Sequence, residues 1–164
     1  MRIIITGSPG VGKTAAAKAL GKRLHCLVFN EKQFALEKKI GKWDSKEDEL
    51  VIPLQAFAKE ANKLFSKERK VILEGHLLCE LRLKADFVVL IRLHPELLEA
   101  RLEARGYSAE KVQDNVFCEG IDYCKKHLLR NYSEKKLVEI QSGKSIKETL
   151  DRIIEGLREK GAEL

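Results

Sequence analysis

The run Gly7-Ser8-Pro9-Gly10-Val11-Gly12-Lys13-Thr14 follows the apolar stretch "RIIIT" and continues directly into "AAAKALGKRL". It fits G-x-x-x-x-G-K-[ST] at every fixed position. The glycines, Gly10 and Gly12 among them, let backbone N–H groups converge on phosphate oxygens without Cβ clashes. A helix beginning near Lys13 adds the positive end of its dipole. In such a loop Lys13 is placed for the β- and γ-phosphates, the Thr14 hydroxyl for Mg²⁺ and the Ala15 amide for the α-phosphate. A chance glycine turn ahead of a helix is the alternative. The flanking strand and helix, at the start of an α/β chain, favour a loop that binds a nucleoside triphosphate with Mg²⁺.

The pattern beyond the loop supports that placement. Apolar runs of strand length alternate with longer segments of helical period, which predicts an α/β fold with a five-stranded parallel sheet covered by helices on both faces. The strands read as Arg2–Thr6, Cys26–Phe29, Val71–Glu74, Phe87–Leu93 and Leu137–Gln141. Helices are expected over Lys13–Leu24 and Leu54–Phe65, and from Pro95 with Leu97, Leu98 and Leu102 inward. A further helix is expected from Ala109 to about Asn131, with Ile121 on its apolar stripe. The last follows the N-cap Ser145, with Glu148 completing a capping box and Ile146 on its core face. Two segments, "EKQFALEKKIGKWDSKEDELV" and "RGYSAEK", read as insertions on one domain spanning residues 1–164. In the first, Trp43 is expected to cover a small local core.

A chain of 164 residues with 34% charged and 44% hydrophobic residues suits a folded domain rather than a disordered one. Its longest apolar run, Phe87–Ile91, is far short of a membrane span. The start lacks the pattern of a cleaved leader, so a cytoplasmic protein without membrane association is the expectation. Four cysteines without a CxxC pair suggest neither a zinc nor a redox motif. The net charge of +6 leans mildly toward anionic partners.

Beyond the loop, "VILEGHLL" supplies Glu74 at a strand end and His76 two residues later. Glu74 either serves the metal or a nucleophile or ends a strand at the surface. His76 either positions an oxygen beside the phosphates or is a buried histidine satisfied by backbone. Arg101 and Arg105, four apart, share a helix face and precede a glycine-containing segment suited to a lid. Two guanidiniums there can neutralise charge developing in phosphoryl transfer, although such pairs also decorate solvent-exposed faces. "SGKS" after the fifth strand puts Lys144 where a base is contacted, or forms a plain turn.

Together "TGSPGVGKT", "FALEK", "LEGHL", "RLHPELLEARLEARGYSAEKVQDNVFCE" and "SGKSIKETLDRIIEGL" resemble the adenylate kinase isoenzyme six family in its archaeal form. The similarity covers nearly the whole chain. It implies a P-loop NTPase fold of NMP-kinase type, with an NMP-binding insertion near residues 30–51 and a short lid near 103–114. It implies phosphoryl transfer between ATP and AMP or another NMP, with ATP hydrolysis. It also implies a ribosomal protein of the S eleven family as partner, and late maturation of the small ribosomal subunit and its rRNA. The matching positions for nucleotide are Gly10, Gly12, Lys13, Thr14, Ala15, Arg105 and Lys144, with Glu74 and His76 as the Walker-B-like pair. Two departures stand out. Eukaryotic members carry aspartate at Glu74 and arginine at Leu36, so an acceptor phosphate here depends on other cations, among Lys32, Lys38 and Lys39.

Overall fold

The computed structural model describes residues 1–164. The chain runs β1 (Arg2–Thr6), α1 (Lys13–Leu24), β2 (Leu27–Asn30) and α2 (Glu31–Glu37), then a hairpin of β3 (Lys42–Asp44) and β4 (Glu49–Val51). Next come α3 (Leu54–Lys67), β5 (Val71–Glu74), β6 (Phe87–Arg92) and α4 (Pro95–Ala104), followed by α5 (Ala109–Gly120), α6 (Tyr123–Asn131), β7 (Leu137–Gln141) and α7 (Ile146–Glu159).

Five strands form a parallel sheet in the order β2-β5-β1-β6-β7. The period of two along each strand divides the core in two. Ile4, Leu73, Val88 and Leu90 join one cluster with Phe34, Phe57 and Phe65, on the side of α3. Ile3, Ile5, Ile72, Val89 and Ile91 join the other with Ala16, Leu20, Leu98 and Ile153, from α1, α4 and α7. Burial on both faces is why the strands are apolar throughout rather than alternating. The connection leaving β1 runs outward to β2, while that leaving β5 crosses to β6 on the other side. The crevice at the carboxyl ends of β1 and β5 is therefore a topological switch point, the place where ligands sit in such sheets.

Several details differ from expectation. The helix foreseen over Ala109–Asn131 is two helices, broken at Ile121–Asp122, with Asp122 left-handed at φ 59°. Aspartate tolerates that region better than most residues. Leu97, expected inward, is 57% exposed, whereas Leu98 and Leu102 are fully buried. Ile146 and Ile121 also face outward, and Trp43 is 61% exposed. The hairpin's apolar anchor is Leu50, buried directly across the register from Trp43. Ser145 caps α7 by accepting from the Glu148 amide (3.1 Å), while the Glu148 carboxylate accepts from the Lys144 amide (2.8 Å). This cap contributes on the order of 1 kcal/mol. No helix is long and apolar enough to cross a membrane.

Candidate active site

The glycine loop wraps over the end of β1. Gly7, Gly10 and Gly12 all have positive φ, of 144°, 89° and 102°. At Gly7 a Cβ would lie 2.3 Å from the Ile91 carbonyl oxygen, so the loop can seat against β6 only with glycine there. Lys13 is buried, and its Nζ donates to the carbonyls of Gly7 (3.0 Å) and Ser8 (2.9 Å). Burial lowers its pKa, and the nearby Glu31 and Glu74 carboxylates work against that shift. The ammonium thus holds its own loop in shape at the point where phosphate would arrive.

Glu74, buried at the end of β5, faces the loop across the switch point. Its Oε1 accepts from the Thr14 hydroxyl (2.9 Å) and from Asn30 Nδ2 (2.6 Å). This oxygen pair suits Mg²⁺, which is typically bound through one or two protein oxygens plus phosphates and waters. Thr14 and Glu74, brought together by that hydrogen bond, are the residues that would hold the ion.

A cleft of about 690 Å³ opens over these groups, lined by Lys13, Thr14, Ala15, Glu74, His76 and Arg105 with Lys32 from α2 and Tyr107 from the turn after α4. A smaller recess of about 160 Å³ adjoins it, between Gly12, Arg101 and the Ser142–Ser145 turn that carries Lys144. Arg101 and Arg105 therefore serve different places. Arg105 lines the main cleft, whereas Arg101 Nη1 donates to the Gly10 carbonyl (3.3 Å) and braces the loop. A third recess, of about 220 Å³, lies beyond His76 between β4, the start of α3 and the turn after β5. Leu50, Ile52, Leu54 and Leu77 line it together with Lys32 and Glu80. Of the cations weighed for an acceptor phosphate, Lys32 lines both the cleft and this recess. Lys38 instead lies over the Phe34 ring at 5.7 Å. Leu36 is exposed.

Three residues of the site carry no sequence signal that singles them out. Asn30 caps α2, accepting from the Lys32 and Gln33 amides, and bonds Glu74 with its other end. Glu31 is buried and pairs with His76 Nδ1 at 2.7 Å. Glu119, buried in α5, accepts from the loop's Ser8 hydroxyl (2.6 Å) and from Arg92 Nε (2.6 Å). Arg92 also meets Asp122 (2.6 Å) and Glu139 (3.1 Å). Burial disfavours the Arg92 charge, yet the hydrogen bonds and charges of Glu119 and Asp122 outweigh it and raise its pKa.

Sheet order, loop and facing carboxylate define a nucleotide-binding P-loop protein with the fold of small kinases. Shikimate kinase from Aquifex aeolicus superposes with a TM-score of 0.66 at 17% identity, covering 99% of this chain and all of that one. A deoxyadenosine kinase from M. mycoides with bound dATP gives 0.62 at 14% identity, over 96% of this chain and all of that one. At such identities the likeness shows the fold alone. The sequence goes further. Residues 3–122 match the family described as "AAA domain". A Pyrococcus furiosus protein named "Putative adenylate kinase" is 38% identical over 94% of this chain and 82% of its own length. A Methanocaldococcus jannaschii protein of the same name is 34% identical over 98% and 88%. The chain belongs to this family of adenylate-kinase-like P-loop NTPases.

Proposed function

We propose that the protein transfers the terminal phosphoryl group of ATP to AMP, giving two molecules of ADP. One arrangement carries the reading: the P-loop and Glu74, joined by the Thr14–Glu74 hydrogen bond (2.9 Å), floor one cleft that Lys32 of α2 and Arg105 also line. ATP with Mg²⁺ would lie along the loop, with Thr14 and Glu74 on the metal side. Lys13 and Arg105 would meet the negative charge spread over the transferring group. Lys32, which lines both the cleft and the adjoining recess, would meet the acceptor phosphate. Positioning and electrostatics of this kind supply most of phosphoryl-transfer catalysis, without a strong general base. The names of the archaeal relatives support the substrate pair.

Purified protein with ATP and AMP, sampled by ³¹P NMR, should form ADP far faster than with ATP alone. Equal rates would refute acceptor transfer. They would favour a second reading, ATP hydrolysis with little kinase activity, for which Leu36 in place of arginine is the supporting observation. The resemblance further supports action with an S eleven-type ribosomal protein in small-subunit and rRNA maturation. Retention of that protein on immobilised enzyme, with and without ATP, tests it, and no retention in either state refutes it.

A further inference from the structure

The cysteines form no redox motif along the chain, yet the fold brings two of the four together. Cys79 lies in the single 3₁₀ turn Leu77–Glu80 after β5, and Cys124 in the first turn of α6. These two elements are held to each other on either side of the thiols. Tyr123 donates to Glu80 Oε1 (3.2 Å), and Asn131 Nδ2 donates to the Cys79 carbonyl (3.3 Å). The Cys79 thiol has two acceptors within reach, the His76 carbonyl (3.3 Å) and the Cys124 sulfur. Cys79 is 1% exposed within the core cluster on the α3 side. Cys124 packs against the same cluster but keeps part of its surface in solvent.

The two thiols are not equivalent. The hydrogen bond from Cys79 lowers the Cys124 pKa against burial and the Glu119 charge, and the Lys13 and Arg92 cations add to the lowering. The same hydrogen bond, with burial, raises Cys79. Burial also raises Cys26 and Cys118. The thiolate is the nucleophile in sulfur oxidation, and a reactive cysteine needs both access and a partner to resolve it. Only Cys124 combines a lowered pKa, a solvent-facing side and a thiol against its sulfur.

We propose that Cys124 and Cys79 form a modification site for hydrogen peroxide, ending in a disulfide that straps the turn after β5 to α6. The Cys124 sulfur attacks one peroxide oxygen, the O–O bond breaks, and the second oxygen leaves as water. Cys124 is then a sulfenic acid. The Cys79 sulfur displaces its hydroxyl, which departs as water with the Cys79 proton as the S–S bond forms. Two thiols lose two electrons and two protons, and one peroxide is reduced to two waters. The strap lies beneath the phosphate site. Its α6 end follows the Asp122 break, just past the Glu119 that holds Ser8 of the loop, and its other end lies in the turn that carries His76.

Peroxide treatment of the reduced chain, followed by alkylation in denaturant and non-reducing peptide mass spectrometry, tests the proposal. Two of the four thiols should disappear together, giving one joined peptide with Cys79 and Cys124 that dithiothreitol separates. Cys124 should be consumed at least about tenfold faster than Cys26. Cys79→Ser should stop at a sulfenic acid on Cys124, trapped by dimedone, and Cys124→Ser should leave Cys79 unreacted. The oxidised wild type should melt about 5–10 °C above the reduced form, because the cross-link constrains the unfolded chain. Absence of the joined peptide overturns the proposal, as does a Cys118–Cys124 link, a link between two chains, or Cys124 reacting no faster than Cys26. If a serine variant does not fold, the wild-type peptide map still decides. None of these readouts depends on kinase turnover.

Discussion

Glu119→Ala should be among the most damaging single substitutions outside the apolar core. The side chain is 3% exposed and answers three donors at once: Arg92 Nε, the Ser8 hydroxyl and the Leu93 amide (3.3 Å). Removing one partner of a buried ion pair costs about 3–5 kcal/mol, because the remaining charge is stranded. Arg92 keeps Asp122 and Glu139, which are 49% and 32% exposed and partly compensate it. The lower end, about 3 kcal/mol, is therefore expected, or roughly 6–12 °C in Tm for a domain of this size. Differential scanning calorimetry of wild type, Glu119→Ala and the double variant Glu119→Leu/Arg92→Met would measure it. The double variant should recover part of the loss, since it strands no charge. A single-variant loss below about 1 kcal/mol, or a double variant no better than Glu119→Ala, would refute the stranded-charge account. Loss of the Ser8 contact should also raise the ATP KM, since the loop is then held on one side only.

Lys13→Ala should lower turnover by about 10²–10³-fold or more while far-UV circular dichroism stays unchanged; activity within a few-fold of wild type would remove the loop from the chemistry. Asp86 is paired with Arg2 (2.5 Å), whose hydrogen bond holds its carboxyl below the usual range. That stability is present above the unfolded pKa of about 3.9 and is lost as pH falls through the depressed folded value, so urea midpoints of wild type and Asp86→Asn should converge only in strong acid. Burial pushes the Tyr132 phenol up to about 12, where its hydroxyl accepts from the Leu83 amide (2.8 Å) and donates to the Leu81 carbonyl (2.9 Å). Its contribution is complete below the unfolded value of about 10 and is lost as pH rises toward the folded one. Tyr132→Phe should therefore cost about 1–3 kcal/mol at neutral pH and flatten the alkaline limb of the stability curve.

What was legible in the chain followed from short-range rules. The loop announces itself because its glycines stand where a side chain would not fit, and Gly7, which seats the loop against the Ile91 carbonyl of β6, shows one such contact. Strand positions came from apolar runs that only a sheet buried on both faces tolerates. The break at Asp122 did not, because a polar residue within a helical period looks like any solvent-facing position. Asn30, Glu31 and Glu119 were hidden for a related reason: a carboxylate or amide in a charged stretch reads as surface until a partner 44, 45 or 111 residues away is brought to it. Arg101 was read as acting beside Arg105, but its contact with Gly10 depends on the height of one helical turn, which spacing alone does not give.

Asn30 and Glu31 are joined by one peptide bond, and they grip the metal-side carboxylate and the imidazole turn respectively. The root of the insertion is therefore a yoke rather than a free pivot. Any tilt of α2 moves the Glu74 and His76 contacts together.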